Sequence, residues 1–202
     1  MDNYFVLRGQ ATACADKKMN NSTVKKLWKS FCLGDGELTL TEGADNTFTN
    51  MRIAGFEVGV KLTGSGNFMR NLHPLYSYDT CAYADSIGFY DLGGDNWYDI
   101  CYPDNFAVGF RMAGHTVSTY NDCFCYWYSS SGMTEIAFMS DGKFNSVLNN
   151  CKATFRSDAS GKYLVVGEAG GGGVVQSPLF DVKLNNDDSY KDYLEGKVVW
   201  KK

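Results

Sequence analysis

Residues 56–62 (FEVGVKL) and residues 106–112 (FAVGFRM) repeat one pattern at an interval of fifty positions. In both copies a Phe is followed, two positions later, by Val-Gly, and then by an apolar, a basic and a second apolar residue. The apolar residues Phe56, Val58 and Val60 alternate with other types, and a period of two places them on one face of a β-strand. The two stretches therefore predict a fold made of β-strands arranged in repeated units.

The repeat extends well beyond these two stretches. Residues 45–78 align with residues 95–128 without a gap, so that Asp45-Asn46 falls on Asp95-Asn96. Self-similarity at a fixed period is the signature of repeat architectures, in which neighbouring units bury a shared core. We therefore expect a single β-rich domain over residues 1–202, with units at about 1–44, 45–94 and 95–144 and a divergent last segment at 145–202.

The composition within each unit is typical of short strands joined by tight turns. Val, Phe, Tyr and Thr are dense, and Gly, Asn and Asp separate them at intervals of about eight to twelve residues. With 3 prolines and 22 glycines, the turns are expected to rely on Gly and Asn, which accept positive φ in hairpins. We predict an all-β fold of antiparallel strands in a β-prism-like arrangement, with a β-trefoil, β-sandwich or jelly roll as alternatives. Residues 22–31 are the one helix candidate, and their apolar positions also fit a twisted strand.

Charge and hydropathy exclude several functions. The net charge is −4, whereas a nucleic-acid-binding protein needs a basic face for the phosphates, so we expect no nucleic acid partner. No run of about 20 apolar residues is present, so no membrane-spanning helix is predicted. The first residues, MDNYFVLRGQ, lack the pattern of a secretory signal. We expect either cytoplasmic synthesis or a signal already removed, with a final location in a virion or at an extracellular surface.

The seven cysteines favour buried, reduced thiols over disulfides, because a free Cys packs as a small apolar residue. An odd number leaves at least one thiol free in a monomer. A disulfide from the Cys123-Phe124-Cys125 segment to Cys101 or Cys151 stays an open alternative. We predict no metal site there, since the spacing of paired zinc ligands is absent.

Catalytic motifs are scarce. The two histidines, His73 and His115, lie in turn-like or surface contexts, and a Ser or Cys nucleophile would need one of them as its base. The sequence has no G-x-S-x-G element to present a serine, and the glycines at 170–173 lack the Lys-Ser/Thr of a phosphate-binding loop. We therefore predict that the protein is not an enzyme and uses no cofactor. Paired carboxylates of a glycoside hydrolase are the alternative, which depends on their separation in space.

The strongest signal for binding is aromatic. Trp97-Tyr98 and Trp127-Tyr128 are adjacent pairs on β-like segments, so one member of each pair faces outward. Exposed aromatic rings beside Asp and Asn side chains can stack on sugar rings while the polar groups bond hydroxyls, and the same chemistry makes hot spots in protein interfaces. We predict a ligand-binding site formed by Asp95, Asn96, Trp97, Tyr98, Trp127 and Tyr128.

Residues 96–101 (NWYDIC), 106–111 (FAVGFR) and 121–125 (NDCFC) together resemble a unit of two families of β-repeat proteins. Dermatopontin has a Trp-Tyr and Cys pattern followed by an apolar-Gly-Phe segment and a strand rich in aromatic residues and Cys. The vitelline membrane outer layer protein has a similar pattern and folds as a three-sheet β-prism with repeats of this length. The resemblance implies an extracellular, matrix-like or carbohydrate-binding protein without enzymatic cofactors. In the unit at 45–94, Met51 stands where the unit at 95–144 has Cys101, so the disulfides of those families cannot be transferred.

Together these features favour a non-catalytic interaction module, a surface, adhesion or decoration component of a larger assembly such as a virion or matrix. Its expected partners are other protein chains of that assembly or surface glycans, and a homo-oligomer is compatible with this hypothesis. A secreted, lectin-like matrix protein is one alternative, and a carboxylate-dependent glycoside hydrolase is another.

Overall fold

The computed structural model describes residues 4–7, 37–41, 43–54, 56–75, 85–127, 134–168, 171–176 and 179–180. These residues form sixteen β-strands and the turns between them. They include no helix with the length and apolar character needed to cross a bilayer. The helix candidate at residues 22–31 lies outside the described residues. In chain order the strands are β1 (Tyr4–Leu7), β2 (Glu37–Thr41), β3 (Thr47–Ala54), β4 (Val58–Leu62), β5 (Phe68–Leu75), β6 (Ile87–Asp91), β7 (Trp97–Asp99), β8 (Val108–Met112), β9 (Thr119–Asn121), β10 (Phe124–Tyr126), β11 (Thr134–Lys143), β12 (Val147–Asn149), β13 (Lys152–Thr154), β14 (Gly161–Glu168), β15 (Val174–Gln176) and β16 (Leu179–Phe180).

The strands pair in parallel and make three sheets. The seven-stranded sheet has the order β1-β3-β5-β7-β9-β12-β15, and the six-stranded sheet has the order β14-β11-β8-β6-β4-β2. A short third sheet has the order β10-β13-β16. The chain alternates between the two large sheets, and each new strand pairs with the preceding strand of the same sheet. The chain therefore forms coils that stack along one axis. This arrangement is a parallel β-solenoid, in which each coil contacts mainly its neighbours.

The fifty-residue interval corresponds to two coils. Strands of the seven-stranded sheet begin at residues 47, 68, 97, 119, 147 and 174, so single coils are 21 to 29 residues long. Val58 and Val108, fifty positions apart, both pair with Ile87 of the intervening coil. The repeated motif therefore returns to an equivalent place after every second coil, while the predicted unit boundaries stay a prediction.

The predicted all-β character is confirmed for the described residues, but the prediction of antiparallel units is wrong. The described strands do not form a β-prism, β-trefoil, β-sandwich or jelly roll, because they pair in parallel. The β-prism implied by the resemblance to the vitelline membrane family is likewise not the fold observed. The alternation of apolar residues is the same in parallel and antiparallel strands. In addition, Asn and Asp residues that suggested hairpins have positive φ at the corners of coils, as at Asn50, Asn71, Asp122 and Asn150.

The core between the two large sheets is a pair of side-chain columns. Phe89, Phe110 and Phe138 of the six-stranded sheet stack with ring centroids 4.8 and 4.9 Å apart. Tyr98 and Tyr120 of the seven-stranded sheet stack at 4.5 Å and meet the Phe column edge to face. Each aromatic pair adds about 0.5–1.5 kcal/mol beyond the burial of its area. The in-register stacking of coils therefore converts one inward position per strand into a continuous core.

The Gly of the repeated motif lies against a third wall of the coil, formed by Pro74, Pro103 and Cys125. A Cβ at Gly59 would lie 2.6 Å from Cβ of Pro74, and one at Gly109 would lie 2.4 Å from Sγ of Cys125. Gly88 of the intervening coil has the same relation to Pro103, at 2.4 Å. These distances leave no room for a side chain, so glycine allows the wall to approach the six-stranded sheet.

Candidate functional site

The outer face of the seven-stranded sheet carries two rows of side chains in register. The first row is mainly apolar, and each of its residues is exposed or half-buried: Thr47, Phe68, Trp97, Thr119, Val147 and Val174. The second row, two residues further along each strand, is entirely polar: Thr49, Arg70, Asp99, Asn121, Asn149 and Gln176. Neighbouring members of a row are about 4.8 Å apart, the spacing of paired strands.

Trp97 is an exposed aromatic side chain on this face. It is 44% exposed, whereas the adjacent Tyr98 is fully buried, because successive residues of β7 point to opposite faces. Beside it in the polar row, Nε of Arg70 lies 3.3 Å from Oδ2 of Asp99. The Arg70 side chain is 57% exposed. An indole ring and a hydrogen-bonding pair are therefore presented together to solvent.

Two further exposed apolar side chains lie on the coil of Trp97 and on the next coil. Ile100, 47% exposed, follows the polar row, and Val117 is 51% exposed. The carbonyl of Val117 accepts a hydrogen bond of 3.1 Å from the backbone N–H of Asp95, which places Val117 beside the residue that precedes Asn96 and Trp97. Among the described residues, the exposed large hydrophobic side chains are these three. We call Trp97, Ile100 and Val117 the apolar patch.

A buried ladder of amide and hydroxyl side chains supports the first row from its N-terminal side. The backbone N–H and Nδ2 of Asn67 donate to Oδ1 of Asn96, at 2.8 and 3.2 Å. The N–H of Asn96 donates to Oγ of Ser118, and the N–H of Ser118 donates to Oγ of Ser146, both at 3.1 Å. The ladder thereby fixes the backbone immediately before Trp97 relative to the coils on either side.

Asp91 is buried at the centre of this ladder. Its carboxylate accepts hydrogen bonds from Nδ2 of Asn96 at 2.9 Å, from Oγ of Ser118 at 2.6 Å, and from the N–H groups of Gly93 and Gly94. Burial raises the pKa of Asp91 above its ordinary value, and the hydrogen bonds from Ser118 and Asn96 oppose that rise. Its acceptors are occupied by the fold, so Asp91 has a structural role.

A second polar cluster lies on another side of the coil. Nε2 of His73 lies 2.9 Å from Oδ2 of Asp104, and Nη1 of Arg52 donates to Nδ1 of His73. Because a guanidinium only donates, we assign the proton of a neutral His73 to Nε2. Burial lowers the pKa of His73, and the hydrogen bond to Asp104 opposes the change. His73 is buried within β5, so the prediction that it occupies a turn or the surface is wrong.

The described cysteines, Cys101, Cys123, Cys125 and Cys151, are free and buried, which confirms the prediction of packed thiols for these four. Cys101, Cys123 and Cys151 each donate to a backbone carbonyl of the preceding coil, at 3.5, 3.5 and 3.3 Å. Burial raises the pKa of Cys101 to about 12. The thiolate is the reactive form of cysteine, so these thiols are suited to packing. Cys14, Cys32 and Cys81 lie outside the described residues.

The structure places the six predicted site residues in different environments. Asp95 and Trp97 are exposed, Asn96 belongs to the buried ladder, and Tyr98 belongs to the core. Trp127 is also buried, and its indole Nε1–H donates to the carbonyl of Phe106. Tyr128 lies outside the described residues. The structure therefore brings Asp95 and Trp97 together at the surface, and their binding of a ligand stays a prediction.

Sequence reasoning missed Arg70, Asp99, Ile100 and Val117 as members of this face. A signal for Ile100 was present in the chain: Cys101, Cys123 and Cys151 follow Ile, Asp and Asn, respectively. Ile100 is thus the apolar exception at a position that is otherwise polar. Without the coil register, this comparison had no structural meaning.

No protein-family model matches the chain, and no curated protein or solved structure matches it. The resemblance to dermatopontin and the vitelline membrane outer layer protein therefore stays a prediction, as does a location in a virion or at an extracellular surface. Within the described residues, we find no group of three or more His, Cys, Asp or Glu side chains that could hold a metal ion.

Proposed function

We propose that the protein is a non-catalytic binding module that recognises neutral glycans through the outer face of its seven-stranded sheet. The observation that carries this proposal is the location of the apolar patch. Its three side chains lie on two neighbouring coils, and Trp97 is exposed beside the Arg70–Asp99 pair. Large apolar side chains that cluster at the surface mark interaction sites more often than isolated ones do.

The chemistry of the face favours a sugar. A pyranose ring presents C–H groups on its faces and hydroxyls around its edge, so it can cover an indole ring and bond nearby polar side chains. Asp99 and Asn121 supply carboxylate and amide oxygens beside Trp97, and Arg70 supplies N–H donors. Asp95, two positions before Trp97, and Asp122, which follows Asn121 on the next coil, are also exposed. Their carboxylates repel phosphate and sulfate groups, so the ligand is expected to be uncharged.

The arrangement of reactive groups supports a non-catalytic role over the glycoside hydrolase alternative. Both ring nitrogens of His73 are engaged, by Arg52 and Asp104. Asp91 is held by the ladder. A general base must be able to reach the proton that it removes. His73 and Asp91 are instead held by hydrogen bonds to other side chains within the fold.

Affinity electrophoresis of the full chain tests the proposal. Hydroxyethylcellulose, a neutral polysaccharide, should retard the protein, and the anionic polysaccharide alginate should not. Trp97→Ala should weaken retardation about tenfold or more, as expected for a central aromatic contact. Tyr90→Ala is the matched control, because Tyr90 is a half-buried aromatic residue of the six-stranded sheet. Absence of retardation by neutral polysaccharides, or equal retardation of Trp97→Ala and wild type, would contradict the proposal.

A further inference from the structure

Ile100 has a backbone conformation that its side chain disfavours. The corner after the polar row has positive φ in five consecutive coils, with values between 51° and 57°. Four of these corners carry Asn or Asp, which accept this region, and the third carries Ile. The five corner residues are Asn50, Asn71, Ile100, Asp122 and Asn150. A β-branched residue at positive φ is a genuine outlier, so the corner of the third coil is strained.

The neighbouring corners show what a polar residue contributes there. Nδ2 of Asn71 donates to Oδ1 of Asn50 at 2.8 Å, and Nδ2 of Asn150 donates to Oδ1 of Asp122. Ile100 interrupts this column between Asn71 and Asp122. It is 47% exposed, so burial in the core does not require an apolar side chain at this corner. The fold alone would therefore be served better by Asn at position 100.

We propose that Ile100 is a ligand-contacting residue that determines specificity, so that its strained conformation serves binding. This inference rests on the proposed function and names the ligand class more closely. Ile100 follows Trp97 by three positions on the same coil, and Val117 is exposed on the next coil beside Asp95. The matching ligand is a neutral polysaccharide of pyranose rings whose hydroxyls are equatorial, because such rings expose C–H groups on both faces. Residues with strained backbone are concentrated at ligand-binding sites, where the strain serves function.

The test is a variant that should improve the fold and impair binding. Ile100→Asn should raise the Tm by about 2–4 °C and raise the Kd for hydroxyethylcellulose about tenfold or more. Ile100→Gly, which accepts positive φ without a side chain, should also weaken binding without lowering the Tm. Asn50→Asp is the matched control at the first corner of the column, because it keeps an oxygen acceptor for Nδ2 of Asn71, and it should leave the Kd within about twofold of wild type.

The outcomes separate the two proposals. If wild type does not bind hydroxyethylcellulose, or Trp97→Ala binds as well as wild type, the proposed function is wrong and the role of Ile100 is overturned with it. If Trp97→Ala weakens binding while Ile100→Asn and Ile100→Gly bind as wild type does, the role of Ile100 is overturned and the proposed function stands. A lower Tm in both Ile100 variants would overturn the strain on which the inference depends.

Discussion

Gly109→Ala is expected to destabilise the protein by about 2 kcal/mol, because the new Cβ collides with the third wall of the coil. It would lie 2.4 Å from Sγ of Cys125 and 2.8 Å from the carbonyl oxygen of Ala137. Overpacking of this kind costs about 1–3 kcal/mol, and the upper end applies because the carbonyl oxygen belongs to a paired strand. The loss of unfolded-state freedom on replacing Gly by Ala offsets about 0.4–1 kcal/mol of that cost.

A double-mutant cycle tests the cause. Cys125→Ala alone removes a buried sulfur atom and should cost about 1 kcal/mol. In the double variant the Sγ collision is absent, so the two changes together should cost about 1 kcal/mol less than the sum of their separate effects. Gly172→Ala is the matched control, since a Cβ there meets no atom within 4 Å. It should change stability by less than about 0.5 kcal/mol.

Urea unfolding, followed by tryptophan fluorescence and circular dichroism, measures these free energies by linear extrapolation. If Gly109→Ala is as stable as wild type, the third wall does not pack on the six-stranded sheet as described. If it is destabilised but shows no coupling to Cys125→Ala, the wall is in place and the collision with Sγ is not the cause.

Three further changes probe the ladder, the buried histidine and the thiols. Asn96→Ala should destabilise the protein by about 3 kcal/mol or more, because it leaves buried partners unpaired. Asn46 lies at the end of the ladder, where its Nδ2 donates to Oδ1 of Asn67 at 3.0 Å, and Asn46→Ala should cost about 1 kcal/mol. Equal losses in urea unfolding would contradict the ladder. Burial lowers the pKa of His73 below its ordinary 6.5, so the unfolded state binds more protons as the pH falls through 6.5. The stability that the buried, neutral His73 contributes is complete above pH 6.5, and it is lost as the pH falls through the lower pKa that His73 has in the folded protein. His73→Gln should therefore reduce the slope of unfolding free energy between about pH 8 and pH 5, and an unchanged slope would exclude His73 as its source. Peptide mapping after treatment with a thiol reagent should show protection of four cysteines until urea unfolds the chain, and labelling of native protein at these sites would contradict their burial: Cys101, Cys123, Cys125 and Cys151.

Part of the candidate site was accessible from the sequence. The period of two within residues 96–99 predicts that Trp97 and Tyr98 face opposite ways, and they do. The period does not say which of the two residues faces outward, because that depends on the residues that each one packs against in the fold. An amide beside an aromatic ring suits a sugar, so the sequence predicts that Asn96 binds a ligand. The structure instead places it in hydrogen bonds with Asn67 and Ser118, residues 29 and 22 positions away.

The β character, the fifty-residue interval and the apolar face of the repeated motif could be predicted from the sequence, since these features depend on residues close together along the chain. The parallel pairing of the strands and the fact that fifty residues make two coils became clear from the fold. The tertiary structure also decided that Gly109 faces Cys125 and that Ile100 interrupts a polar column. These features depend on contacts between residues one coil or more apart, and neither local propensity nor periodicity specifies which strands become neighbours.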